Sequence, residues 1–214
     1  LIVCCGLAFP VLVHPMVYPS LARFGQPSSD AHRSWTRRYS LHANLWMAVY
    51  SFIGNYWYTH YFYTVLRAEY TMPAHRVNNV PIAMFFATHF FFCTYHVLSN
   101  MMLRKIESMY RAGWLRSLLK WSTIVVLSYA IALAESVGIS AFPNWKFEDR
   151  HEMYRIGSAF YGIYFLESFP AFYHFEPRGL GETIVSSCGY GMIILCLLDF
   201  VRLYLDIPLV IYLA

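Results

Sequence analysis

The sequence predicts an all-α fold, a polytopic transmembrane helix bundle with about six spans in 214 residues. Three observations carry that prediction. Hydrophobic residues make up 58% of the chain and charged residues only 13%, against about 25% charge in a soluble domain. Apolar runs close to the ~20 residues needed to cross a bilayer as helix recur along the whole length. The connectors between them are short and hold most of the charge, so neighbouring spans are expected to pack as antiparallel hairpins in one integral-membrane domain, residues 1–214.

The predicted spans are 1–22, 39–63, 81–103, 121–142, 156–173 and 185–206. The first is interrupted by Pro10, Pro15 and Pro19. It opens at Leu1 inside an apolar run and without a Met, so further sequence is expected upstream. The second carries two polar stripes, His42–Trp46–Ile53–Tyr56–His60 and Asn44–Ser51–Asn55–Tyr58. Polar groups on two faces of an intramembrane helix call for protein on both sides, which makes this helix central. The third span places His89, Cys93, His96 and Asn100 on one face. The fourth contains a carboxyl, Glu135, in an otherwise apolar run. The fifth is short and reaches Pro170, so a tilt or kink is expected there. In the sixth, Asp199 and Arg202 stand three residues apart and are expected to pair.

Loop charge sets orientation. The connectors after the first and third spans hold Arg23, Arg33, Arg37 and Arg38, then Arg104, Lys105, Arg111, Arg116 and Lys120, whereas the opposite connectors are near neutral. The basic side is expected to be cytoplasmic. The net charge of +4 is therefore a topology signal rather than a nucleic-acid footprint. Residues 104–120 read either as an interfacial helix or as a polar connector. The five cysteines all lie in apolar segments without a C-x-x-C spacing and read as reduced packing residues.

The spacing of polar residues narrows the chemistry. No two of the nine histidines are three or four residues apart, so the histidine boxes of membrane di-iron enzymes and an H-E-x-x-H zinc site are absent from the sequence, and no metal site is predicted. His89 and His96 share one helix and offer no matched pair for haem. No lysine lies within a span, which excludes a retinal-type Schiff base, and no phosphate loop or serine elbow occurs. What remains for an enzyme is cofactor-free acid/base chemistry on a lipid. Glu135 is the strongest candidate, because desolvation favours its neutral form and a buried neutral acid is a proton donor. Depth separates the histidines: His42 and His60 lie about 27 Å apart along one helix and cannot share a small site. Asn55, His89, Glu135 and Asp199 fall in one slab. The aromatic share of 19% exceeds the needs of interfacial belts and fits either a bulky bundle core or a cavity for a flat apolar ligand.

Specific motifs then resemble one family. Ala43-Asn44-Leu45-Trp46, Gly54-Asn55-Tyr56, Thr59-His60-Tyr61-Phe62, Asn78-Asn79-Val80-Pro81, Thr88-His89, Tyr95-His96-Val97 and Ser99-Asn100 run in the order found in cycloeucalenol cycloisomerases. Leu127-Ser128-Tyr129, Glu135, Phe142-Pro143, Asp149-Arg150, Met153-Tyr154-Arg155 and Phe160-Tyr161 continue the match to about residue 175. Residues 72–76 and Glu167 depart from it. The resemblance implies a multi-pass enzyme of the endoplasmic reticulum membrane in sterol biosynthesis. It would open the 9β,19-cyclopropane ring of cycloeucalenol-type sterols to a Δ8 sterol, obtusifoliol, without a cofactor. Its partners would be a cyclopropyl sterol and membrane lipid, with no nucleic acid, and the sequence sets no oligomeric state. For that reaction the candidate catalytic residues are Glu135 and His89, either of which can be acid to the other's base. Trp57, Tyr56 and Tyr95 offer π faces to a cation, Asn55, His60 or Asn100 could hold the 3β-hydroxyl, and His96 lies on the same helix face as His89. The alternative is a sterol-binding or transport protein without chemistry.

Overall fold

The computed structural model describes residues 30–64 and 67–206, with the side chains of 58–60 and 62–64 left out. The predicted first span, with Cys4, Cys5 and Arg23, lies outside the described residues. A 3₁₀ turn, Trp35–Arg37, leads into α1, Tyr39–Thr64. Then come β1, Ala68–Tyr70, β2, Arg76–Val77, and β3, Val80–Pro81. Two long helices follow, α2, Ile82–Met109, and α3, Trp114–Ser140, then β4, Trp145–Phe147. A single helical turn at Arg150–Glu152 and a π-helical turn at Met153–Gly157 precede α4, Ser158–Tyr173, and the last helix is α5, Leu180–Tyr204.

Among the described residues, three helices are long and apolar enough to cross a membrane: α2, α3 and α5. That is half of the six spans expected. The helices predicted at 39–63 and 156–173 both form, yet neither has the character of a free-standing span. Histidines, amides and tyrosines make α1 too polar, and α4, at 16 residues, is shorter than the ~20 a bilayer requires. The 104–120 stretch is neither an interfacial helix nor a long connector. Arg104 and Lys105 are good helix formers and extend α2, Trp114 begins α3, and only Tyr110–Gly113 separates them.

Small residues at four-residue spacing decide which helices touch. On α3 the buried face runs Ile124, Ser128, Ala132, Ser136, Ser140, and α4 lies against it so closely that a Cβ on Gly162 would stand 3.4 Å from the Ser128 carbonyl oxygen. Ser158 Oγ donates to Ser136 Oγ at 3.2 Å. On α5 the corresponding face is Thr183, Ser187, Gly191, Ile194, Leu198. Ser187 Oγ donates to the Trp46 carbonyl at 2.6 Å, and Thr183 Oγ1 lies 2.7 Å from His42 Nδ1. Close helix approach with hydroxyls bonding across the seam is the packing expected where burial of apolar surface from water does not drive association.

Between these seams the aromatics form the core. Trp46 stacks on Tyr50 at 5.0 Å, Phe92 meets Phe165 edge-on at 5.3 Å, and Phe165 stacks on Phe169 at 5.2 Å. Much of the aromatic surplus is thus packing. At the end of the bundle opposite the basic connectors, β1 pairs antiparallel with β4, setting Tyr70 opposite Trp145. The β2–β3 hairpin turns through Asn78 and Asn79, both at positive φ (47° and 63°), a conformation asparagine tolerates better than most residues. Together these strands cap that end. The expected Asp199–Arg202 pair forms at 3.1 Å, and the Tyr61 hydroxyl donates to the same carboxylate at 3.2 Å.

Candidate functional site

A cavity lies beneath the strand cap, with empty space of about 730 Å³ including its mouth. Each wall comes from a different element. Gly54 and Asn55 come from α1, Met84, Thr88 and Phe92 from one face of α2, Glu135, Ser136 and Ile139 from α3, and Tyr161 and Tyr164 from α4. Tyr70, Trp145 and Met153 form the roof.

Glu135 is the carboxyl in this apolar lining. It is placed by the helix seam just described, since the small face of α3 lets α4 approach until the Tyr161 hydroxyl donates to Glu135 Oε2 at 2.9 Å. Tyr95, from α2, approaches the same carboxyl. A phenol donor on a carboxyl orients it and stabilises negative charge that develops on it. Gly54 keeps the cavity's α1 wall in place, for a Cβ there would stand 3.0 Å from Tyr164 Cε1. Tyr164 is itself fixed, with its carbonyl accepting from the Tyr50 hydroxyl at 3.0 Å.

The roof is held by the main chain. Thr71 N–H donates to the Asn144 carbonyl at 3.0 Å and Thr71 Oγ1 to the Pro143 carbonyl at 2.9 Å. Arg67 pairs with Glu148 at 3.3 Å, and Arg76 Nη2 donates to the Tyr70 carbonyl at 2.6 Å. Asp149 caps the turn that leads to Met153, accepting from the His151 and Glu152 amides at 2.8 and 3.1 Å. Those two amide bonds hold the Asp149 carboxyl below the ordinary carboxylate range. The π turn at Met153–Gly157 follows directly, and such turns often accompany functional sites.

The sequence candidates divide sharply. Asn55 lines the cavity, its Oδ1 accepting from Thr88 Oγ1 at 3.2 Å. Tyr95 reaches the site through Glu135 without lining the cavity. His89 stands one position round α2 from the lining residue Thr88, against the Met47 main chain, with Nε2 3.9 Å from Cys93 Sγ. His96 is buried in the aromatic core. Its Nδ1–H donates to the Phe92 carbonyl at 2.7 Å, and its Nε2 faces Ser168 Oγ at 2.8 Å. Both ring nitrogens are engaged in packing contacts away from the cavity. Asn100 lies further along α2, half-buried. Tyr56 stacks on Phe52 at 5.9 Å, and Trp57 is 46% exposed on the outside of α1. The His60 side chain lies outside the described residues.

Tyr161, Tyr164, Thr88, Tyr70, Trp145 and Met153 were not singled out from sequence as site residues. Their signal is weak in a single chain. The roof depends on two connectors pairing across more than seventy residues, and a tyrosine in an aromatic-rich helix is indistinguishable from core until its partner is known.

No family model and no solved structure matches the chain. A curated protein of Arabidopsis thaliana, cycloeucalenol cycloisomerase, is 41% identical over 207 residues, covering 92% of this chain and 71% of that protein's length.

Proposed function

The chain belongs to the cycloeucalenol cycloisomerase family, and from that premise we propose that it opens the 9β,19-cyclopropane ring of a cycloeucalenol-type sterol to the Δ8 isomer, with Glu135 as the proton donor. The observation that carries the assignment of Glu135 is its place in the cavity wall, with the Tyr161 hydroxyl donating to it. A cyclopropane is a weak base, so the acid must lie close to the ring carbon and water must be kept away. Proton delivery to C19 breaks the C9–C19 bond and leaves cationic character at C9. The ring faces of Tyr161, Tyr164, Phe92 and Trp145 around the cavity stabilise that charge, a role closer to the chemistry than Trp57 or Tyr56 can take from their positions. Asn55 and Thr88 form the polar pair that meets the 3β-hydroxyl. The compact cavity takes the A and B rings, and the side chain leaves by the mouth.

The bundle resides in the endoplasmic reticulum membrane, with its basic end cytoplasmic. In this reading α1 and α4 cross the bilayer inside the bundle, shielded by α2, α3 and α5. Membranes carrying the protein, incubated with a cyclopropyl sterol, are expected to yield the Δ8 sterol. Sterol binding without any product would instead make it a carrier.

A further inference from the structure

Among the described residues, the lining of the Glu135 cavity contains one carboxyl and no histidine. Ring opening, however, needs both a proton delivered and a proton removed. C19 and C8 are both bonded to C9, so the two reacting positions are neighbours, within reach of one carboxyl group. We infer that Glu135 performs both transfers, and that Tyr161 is the positioning residue that holds its carboxyl for the exchange. This inference rests on the ring-opening reading above.

The step balances within the enzyme–sterol pair. The Glu135 O–H bond breaks and its proton forms the new C19–H bond, using the electron pair of the C9–C19 bond. The carboxylate left behind accepts the proton from C8, and the C8–H electron pair becomes the C8=C9 π bond. Glu135 ends as it began, protonated, and the sterol has been isomerised with no proton drawn from or released to the bulk. An acid enclosed by apolar walls and an aromatic roof needs no water route in such a cycle. Tyr161 has a defined part. Its hydroxyl donates to Oε2 at 2.9 Å, which fixes how the carboxyl is turned as it carries the proton toward the ring. The same hydrogen bond strengthens when the carboxyl becomes charged, so its stabilisation falls on the high-energy state rather than on bound substrate. His89 takes no part, being turned to the Met47 main chain and Cys93 rather than into the cavity.

The test compares kcat and KM over pH for the full chain in membranes, using a cyclopropyl sterol as substrate. A bell-shaped profile reports a separate essential acid and base, whereas one group that cycles between the two roles gives a single limb, falling as the acid ionises. The expected result is a single falling limb, the same limb in His89→Leu, and His89→Leu turnover within about threefold of the parent, the scale of a substitution outside the machinery. Tyr161→Phe is expected to lower kcat about 100-fold, the size seen when one charge-stabilising donor is lost, with KM little changed. A bell whose acid-side limb disappears in both His89→Leu and His89→Gln, with sterol binding retained, would overturn the inference and make His89 the base. Tyr161→Phe raising KM while leaving kcat intact would remove its positioning role. Failure of the underlying reading is distinct from either result: no Δ8 product from the parent chain, or full turnover by Glu135→Gln.

Discussion

Two clefts in this bundle each hold a carboxyl, and they differ in almost everything else. Glu135 lies under a strand cap, with the Tyr161 hydroxyl on Oε2 and aromatic rings around it. Glu167 lies in an open groove between α4 and α5, toward the basic end, lined by Trp121, Pro170, His174 and Tyr190. Its Oε2 is buried and has no hydrogen-bond partner among the described residues. On the proposed reading, then, an apolar span does not by itself make an acid a reaction centre. What distinguishes Glu135 is orientation by a donor and a roofed, π-lined space, the setting the proposed cation requires.

The sharpest test of that contrast removes each acid. Glu135→Gln is expected to lose about 10³-fold in turnover, within the range for a general acid, while sterol binding and membrane insertion persist. Glu167→Gln is expected to stay within about threefold of the parent. Equal losses from the two substitutions, measured as Δ8 product formed per molecule of protein, would erase the distinction between the clefts.

The roof is the next difference. Trp145→Ala removes the largest side chain above Glu135 and opens the cavity to water from the cap side. A loss of about 100-fold in kcat is expected, the scale of a reacting geometry no longer enforced, with the helices still assembled. Trp121→Ala in the open groove should leave kcat unchanged. Parallel assays of the two variants, with detergent-solubilised thermal unfolding as the folding control, check this.

Packing gives a smaller effect. Gly54→Ala places a methyl 3.0 Å from the ring of Tyr164, which is buried and bonded through its carbonyl. Overpacking of this kind costs about 1–3 kcal/mol, and it also pushes a lining residue into the cavity. Gly138→Ala, where a Cβ would meet nothing within 4 Å, is the matched control and should be neutral or slightly stabilising. Unfolding midpoints of the two variants measure the difference.

The same contrast shows what the sequence could and could not reveal. The helices at 39–63, 81–103, 121–142 and 185–206 were legible because periodicity and apolar length are local properties. Glu135 was legible because a lone acid among Ala, Ile and Leu is costly and visible. Its partners were not, since Tyr161 and Tyr95 sit on other helices and only packing brings them together. His89 and His96 looked alike on the helical wheel. In the structure His96 is enclosed by Phe92, Phe169 and Phe172, and His89 faces α1, because the face of α2 that lines the cavity is Met84–Thr88–Phe92, one position away. Depth along a helix was readable, but rotation about its axis to within one residue was not. The roof, built from connectors that read only as loops, was invisible for the same reason that any long-range strand pair is.

The smallest effect lies at the other end of α1. The Asp30 carboxylate accepts from the Tyr39 and Ser40 amides at 2.8 and 2.9 Å, capping the helix from outside. Burial raises its pKa, but the two amide bonds and Arg33 outweigh that and hold it below the ordinary value of 3.8. A depressed carboxylate stabilises the fold above its unfolded pKa and stops doing so as pH falls through the lower, folded value. Between neutral pH and about pH 5 the cap should therefore be fully present, and Asp30→Ala should cost about 0.5–2 kcal/mol there, as loss of a helix cap does. Below pH 4 the parent should approach the variant. Ring opening at neutral pH should be nearly untouched, since the cap stands at the far end of α1 from Gly54 and Asn55. A variant that instead lost turnover and stability together would mean that the two ends of the bundle are coupled through α1, and that the site depends on the whole length of that helix.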